Sequence, residues 1–118
     1  MAVSAPELQS FKADFFKALA HPVRIRILEI LRTGDRSVQE LQAALGVDQA
    51  AVSQQLAVLR AKHVVTARKT GTSVRYAVRD TAVGDLLDVA RRIFNNQLAG
   101  SRTMLRALQR EARRPGRR

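Results

Sequence analysis

A chain of 118 residues with 46% hydrophobic and 4% aromatic residues fits one globular domain with a modest aliphatic core, to which a dimer interface would add burial. The absence of cysteine removes disulfides, thiolate metal sites and thiol redox sensing together. The formal net charge of +11 favours a polyanionic partner, nucleic acid or an anionic surface, and it is uneven. Residues 1–62 carry 8 Lys/Arg against 6 Asp/Glu, whereas residues 63–118 carry 13 against 4. No apolar run approaches the roughly 18 residues that span a bilayer. Residues 1–9 lack the basic-then-apolar order of a signal peptide. A cytoplasmic protein without a membrane partner is expected.

Leu8, Phe11, Phe15 and Leu19 recur at three- and four-residue spacing, which predicts an amphipathic helix over 5–20. His21-Pro22 interrupts it, and proline suits the first turn of a new helix. Six of the nine residues Val23–Leu31 are apolar, so this second helix is expected to be buried on most sides, with Gly34 following its end. Ser37-Val38-Gln39-Glu40 has the capping-box pattern and opens a short helix with Val38, Leu41 and Leu45. Gly46 sits where a left-handed turn is needed, and Asp48 is a good cap for the next helix. That helix places Val52, Leu56 and Leu59 on one face.

After Lys62 the period changes. Two β-branched runs, 64–69 and 73–78, flank Thr70-Gly71-Thr72 and predict a hairpin over 64–79. Helix resumes at Thr81 and is expected to reach residue 112. Leu87, Phe94, Ser101 and Leu108 fall seven apart, with Ala90 or Arg91, then Leu98 and Leu105, between them, and Gly100-Ser101 is a point of kinking or breakage. Residues 114–118 read as a frayed basic tail. The fold class is mainly α with a small β-hairpin, in one domain over 1–118.

Residues 37–61 form a helix-turn-helix in this reading. Burial of Val52, Leu56 and Leu59 leaves Gln49, Ser53, Gln54 and Gln55 on a polar face that a major groove can admit. Glutamine pairs with adenine and serine with several base edges or a phosphate, while small Ala50 and Ala51 allow close approach. Arg68, Lys69 and Arg75, with Thr72 at the tip, place cations and a hydroxyl on a protruding ribbon suited to backbone phosphates. Each part has a bland counterpart: a helical hairpin with a solvated face, and an exposed hairpin with charged gatekeepers. Their order is more telling than either part.

Leu19-Ala-His-Pro-Val-Arg-Ile-Arg-Ile-Leu28 resembles the opening motif of ArsR/SmtB-type regulators. Gln49–Arg60 resembles their recognition helix, and Arg68–Tyr76 their wing. The resemblance covers roughly residues 10–100 and implies a winged helix-turn-helix homodimer that represses transcription and releases DNA on a signal. It implies base or phosphate contacts from Gln49, Ala50, Ser53, Gln54 and Gln55. It also implies dimerisation through the first and last helices, and hence through Leu8, Phe11, Phe15, Leu87, Ala90, Phe94 and Leu98.

The usual metal-sensing positions depart from that family. The helix before the recognition helix reads Glu40–Leu45 without cysteine, and Asp80, Asp85 and Asp88 have no histidine beyond His63 beside them. Carboxylates alone make a weak transition-metal site, so no metal and no cofactor are expected. His21 reads as a helix cap. His63 stands where relatives commonly have glycine and reads as structural, with a pH-sensitive role the less favoured alternative. Arg102, Arg106, Arg110 and Arg114 recur every four residues. The solvated face of an amphipathic helix is preferred there over contact with phosphates or an acidic partner.

An enzyme is excluded on supplies: there is no cysteine nucleophile, histidine cluster, glycine-rich phosphate loop or paired-carboxylate motif. Two other classes remain. A sequence-tolerant nucleoid protein predicts weak base discrimination with steep salt dependence. A winged-helix protein-interaction module predicts a more apolar or acidic face than Gln49–Gln55 presents. The favoured mechanism places two recognition helices in successive major grooves about 34 Å apart on a pseudo-palindromic duplex operator.

Overall fold

The computed structural model describes residues 2–113. Six helices and one hairpin follow in the order α1 (Ala5–Leu19), α2 (Pro22–Leu31), α3 (Val38–Leu45), α4 (Gln49–Ala61), β1 (Val65–Thr70), β2 (Ser73–Val78), α5 (Ala82–Gln97) and α6 (Arg102–Ala112). Local chemistry sets most of these boundaries. Ser4 and Glu7 form a capping box at α1, and Ser37 and Glu40 form another at α3. His21 Nδ1 accepts the Val23 amide at 3.1 Å, so the histidine caps α2 while Pro22 fills its first position. Gly46 closes α3 at φ 70°, a left-handed conformation, and Asp48 Oδ1 accepts the Ala51 amide at 2.7 Å to open α4.

Burial then orders the elements around one core. Ile27, Leu28 and Leu31 of α2, Leu41 of α3, and Val52, Leu56 and Leu59 of α4 are all at most 2% exposed, together with Val65 at the start of β1. Phe15 and Leu19 of α1, Tyr76 and Val78 of β2, and Leu87 of α5 pack against this cluster. His63 makes the turn out of α4 at φ 60°, which histidine tolerates better than most residues.

β1 and β2 pair antiparallel with Arg68 opposite Arg75. The α2–α3 loop joins them: Arg36 and Tyr76 exchange backbone hydrogen bonds of 3.0 and 2.8 Å. The wing is therefore laced to the body on its inner strand.

The last segment breaks at Gly100-Ser101, the point of kinking or breakage in the sequence, so that 81–112 is two helices rather than one. Leu98 closes α5, and Ser101, in an extended conformation, accepts the Met104 amide at 3.4 Å and restarts the chain as α6. Ser101 thus leaves the seven-residue seam, because its side chain serves as a helix cap rather than a packing position. α6 buries no residue. Arg91 holds it, donating to the Leu108 carbonyl at 2.8 Å and pairing with Glu111 at 3.1 Å. The radius of gyration is 15.9 Å, against about 13.5 Å for a compact domain of this length. The outlying hairpin and the thinly packed terminal helices account for the excess. Residues 114–118, including Arg114 of the arginine row, lie outside the described residues.

Candidate nucleic-acid interface

The amphipathic pattern of α4 decides what it shows to solvent. With Val52, Leu56 and Leu59 turned into the core, Gln49, Ala50, Ser53 and Gln54 are exposed side by side, and Ala57 and Arg60 continue the same face. Ala57 and Arg60 escaped the sequence reading, although their spacing of four and seven from Ser53 puts them on that face. Gln55 is placed differently. It is half-buried, and its Oε1 accepts a hydrogen bond from Arg24 Nη1 at 2.8 Å. Its carbonyl is committed to the protein interior side of the helix rather than to the open face.

The wing divides in the same way. Residues 68–74 are exposed, with Gly71 at φ 63° making the tip that only glycine enters without strain. Arg68 has a side chain 72% exposed and touches Asp35 at 3.2 Å. Lys69 makes no ion pair among the described residues and is open to solvent. Thr72 lies at the tip. Arg75 is turned inward: it reaches the Asp35 carboxylate at 3.0 Å, the Asp35 carbonyl at 3.0 Å and Glu40 at 2.7 Å. Like charges directly opposite on paired strands repel, and Asp35, lying between Arg68 and Arg75, neutralises that contact. The hydrogen bond from Arg75 is the main cause that holds the Asp35 carboxyl below its usual range. Glu40 is lowered chiefly by the Ser37 backbone amide and then by Arg75.

The open face of α4 and the outer edge of the wing therefore offer amides, a hydroxyl, Arg60, Arg68 and Lys69. That is the chemistry of groove edges and phosphates. Among the described residues no three His, Asp or Glu groups come together as a metal site. Asp80 Oδ1 caps the Ala82 amide at 2.9 Å, and Asp88 holds Arg32 through two hydrogen bonds of 2.7 and 2.9 Å. No helix among the described residues is long and apolar enough to cross a membrane.

A second face is apolar. Phe11 is 74% exposed and Phe16 59% exposed on α1, while Val89, Ile93 and Phe94 are exposed on α5. Beside them Phe16, Leu19, Ile25, Leu87, Ala90 and Phe94 line a hollow of about 560 Å³ that Leu108 of α6 borders. Of the residues expected at a dimer interface, Phe11, Phe94 and Leu8 are exposed, Ala90 and Leu98 are half-buried, and Phe15 and Leu87 spend much of their surface on their own core. Phe16 and Ile93 were not anticipated. Phe16 stacks edge-on against Phe15 at 5.5 Å and is 59% exposed beside the stripe of Leu8, Phe11, Phe15 and Leu19.

Residues 21–66, the span from the cap of α2 into β1, match the bacterial regulatory protein, arsR family. The HTH-type transcriptional regulator Rv0081 of Mycobacterium tuberculosis is 44% identical over 103 residues, 86% of this chain and 90% of the relative. The chain belongs to the ArsR family. A crystal structure of Rv0081 superposes with a TM-score of 0.74 at 46% identity, covering 82% of this chain and 97% of that one. Mb0332 of Mycobacterium bovis, described as a homodimeric winged helix-turn-helix DNA-binding domain, superposes with a TM-score of 0.73 at 28% identity over 86% and 97% of the two chains. The biofilm growth-associated repressor of Xylella fastidiosa is 34% identical over 85 residues, 72% of this chain and 75% of the relative. In this ArsR-family protein the fold is a winged helix-turn-helix, with six helices and one antiparallel hairpin among the described residues. It is a DNA-binding transcriptional regulator.

Proposed function

We propose that the protein is a homodimeric repressor that binds a pseudo-palindromic duplex operator in the cytoplasm and carries no catalytic activity. The observation that carries this reading is the juxtaposition on one molecule of the open Gln49–Ala50–Ser53–Gln54 face of α4 and the basic outer edge of the wing. Gln49, Ser53 and Gln54 read base edges, Ala50 lets the helix approach, and Arg68, Lys69 and Thr72 meet flanking phosphates. Arg75 and Gln55 support these contacts from behind: Arg75 fixes the wing, and Gln55 is held by Arg24. The apolar face of α1 and α5, with Phe11, Phe16, Ile93 and Phe94, takes the second copy, in keeping with the homodimeric Mb0332. Repression is inferred from the relative of Xylella fastidiosa, which is a repressor; the bound dimer would act by excluding RNA polymerase from the occupied operator. Release requires a signal that favours another dimer arrangement by roughly 1–3 kcal/mol.

Fluorescence anisotropy against the protein's own upstream DNA and a scrambled duplex, over a salt series, tests the reading. A preference of about a thousandfold for the native fragment establishes a sequence-specific regulator. Equal affinity for both, falling steeply with salt, would establish a sequence-tolerant architectural protein instead.

A further inference from the structure

We infer that Arg24 is a positioning residue for DNA recognition, which fixes the rotational setting of α4 by tying it to the C-terminal end of α1. The inference rests on α4 being the reading helix. Arg24 lies on α2, half-buried, and its guanidinium is shared among three helices. Nε donates to the Ala18 carbonyl at 2.7 Å and Nη2 to the Lys17 carbonyl at 3.4 Å. Nη1 donates to Gln55 Oε1 at 2.8 Å. Residues 17 and 18 belong to the last turn of α1. Carbonyls there have few partners within their helix and form its negative end, which suits a cation.

The rest of the attachment of α4 is aliphatic. Val52, Leu56 and Leu59 set how deeply the helix sits, yet apolar contacts are not directional. A hydrogen bond to one side chain does specify direction, and Gln55 is the neighbour of Gln54 in sequence and two residues from Ser53. Holding Gln55 therefore sets the angle at which Ser53 and Gln54 face outward. Because a guanidinium is a rigid planar fork, its α1 end and its α4 end cannot move independently. The outward side of α1 carries Phe11 and Phe16. A displacement of α1 at the face assigned to the second copy thus reaches the reading residues through a single group.

The test uses the full chain and a duplex enriched from a random pool by the wild-type protein, beside a scrambled duplex. Lysine at position 24 keeps the charge near the end of α1 but cannot bridge to Gln55, so a purely electrostatic role would be rescued by Arg24→Lys. Arg24→Lys is expected to leave scrambled-duplex affinity unchanged and to lower the preference for the selected duplex roughly tenfold, within the usual range of coupling between sites. Gln55→Met, which removes the carboxamide and with it the acceptor of Arg24, is expected to do the same, and the double variant to lose no more than either single one. The Gln55→Met result decides the matter alone if Arg24→Lys does not fold. Full preference in these variants, losses that multiply in the double variant, or an equal loss on both duplexes would each overturn the inference. Gln54→Ala separates the two levels. Intact preference there removes the reading-helix assignment and the inference with it; lost preference there with none lost in Arg24→Lys removes the inference alone.

Discussion

Leu56→Ala separates what holds α4 on the core from what α4 is proposed to read. Leu56 is 1% exposed, on the face of α4 that meets the core. The change deletes three carbons, and at about 0.8 kcal/mol per buried CH₂ the transfer loss is about 2.4 kcal/mol. If roughly 40 Å³ of the vacated space stays empty, a cost of about 24 cal/mol per Å³ adds about 1 kcal/mol. The expected destabilisation is therefore about 3.4 kcal/mol. With an unfolding entropy of about 2.1 cal/mol/K per residue, this corresponds to a fall in melting midpoint of about 14 °C for a chain of this size. Circular dichroism melts at one fixed protomer concentration measure it, since a dimer's midpoint depends on concentration. Gln54→Ala, two residues away on the exposed face, is expected to stay within about 0.5 kcal/mol of wild type. A fall below about 4 °C for Leu56→Ala, or equal falls for both variants, would refute the claim that burial of this face holds the helix on the core.

Lys69→Ala at the wing is expected to weaken selected and scrambled duplexes alike and to reduce the slope of log affinity against log salt by about one; loss confined to one sequence would place Lys69 on a base instead. Phe94→Glu puts a charge on a residue 47% exposed on the apolar face, and light scattering at micromolar concentration should report a monomer. A dimer unaffected by that change would move the interface elsewhere. The carboxyls of Asp35 and Glu40 are held below their ordinary range. Stability from such groups is complete above their unfolded values, near 4, and is lost as pH falls through the lower folded values. The gap in melting midpoint between wild type and Asp35→Asn should accordingly stay constant above about pH 5 and shrink as pH falls below about 4. A gap that stays constant throughout would show that the Asp35 charge contributes nothing to tethering the wing.

The parts of this protein that are specified within a few residues of sequence could be read without a structure. Ser37 with Glu40, Gly46 and Asp48 each act on backbone groups two to four positions away, and they place α3, its turn and α4 where the pattern put them. His21 and His63 likewise answer to local backbone needs. What escaped depends on partners distant along the chain. Arg75 has the composition of a phosphate contact, and only the pairing of the α2–α3 loop with β2 brings Asp35 and Glu40, 40 and 35 residues away, against it. Gln55 shares the residue type of Gln54, but Arg24, 31 positions earlier, claims it. The break at Gly100-Ser101 was legible, but the seven-residue spacing counted Ser101 as a packing position, because periodicity does not register that a serine has become a cap. On the apolar face the stripe was right in kind, but which of Phe15 and Phe16 turns outward is settled by how α1 lies on the core.

The backbone bridge between Arg36 and Tyr76 makes the hairpin a third party to the helix-turn-helix rather than an arm hung from it. With Asp35 clasping both Arg68 and Arg75 beside that bridge, the gap between the wing and the exposed side of α4 is a fixed span, like the jaws of a calliper. A duplex seated on α4 must then present its backbone at that span. Stretches that narrow, widen or bend to meet it at little cost are favoured over stiffer ones. On the proposed docking, the calliper would make the protein sensitive to base pairs that no side chain touches.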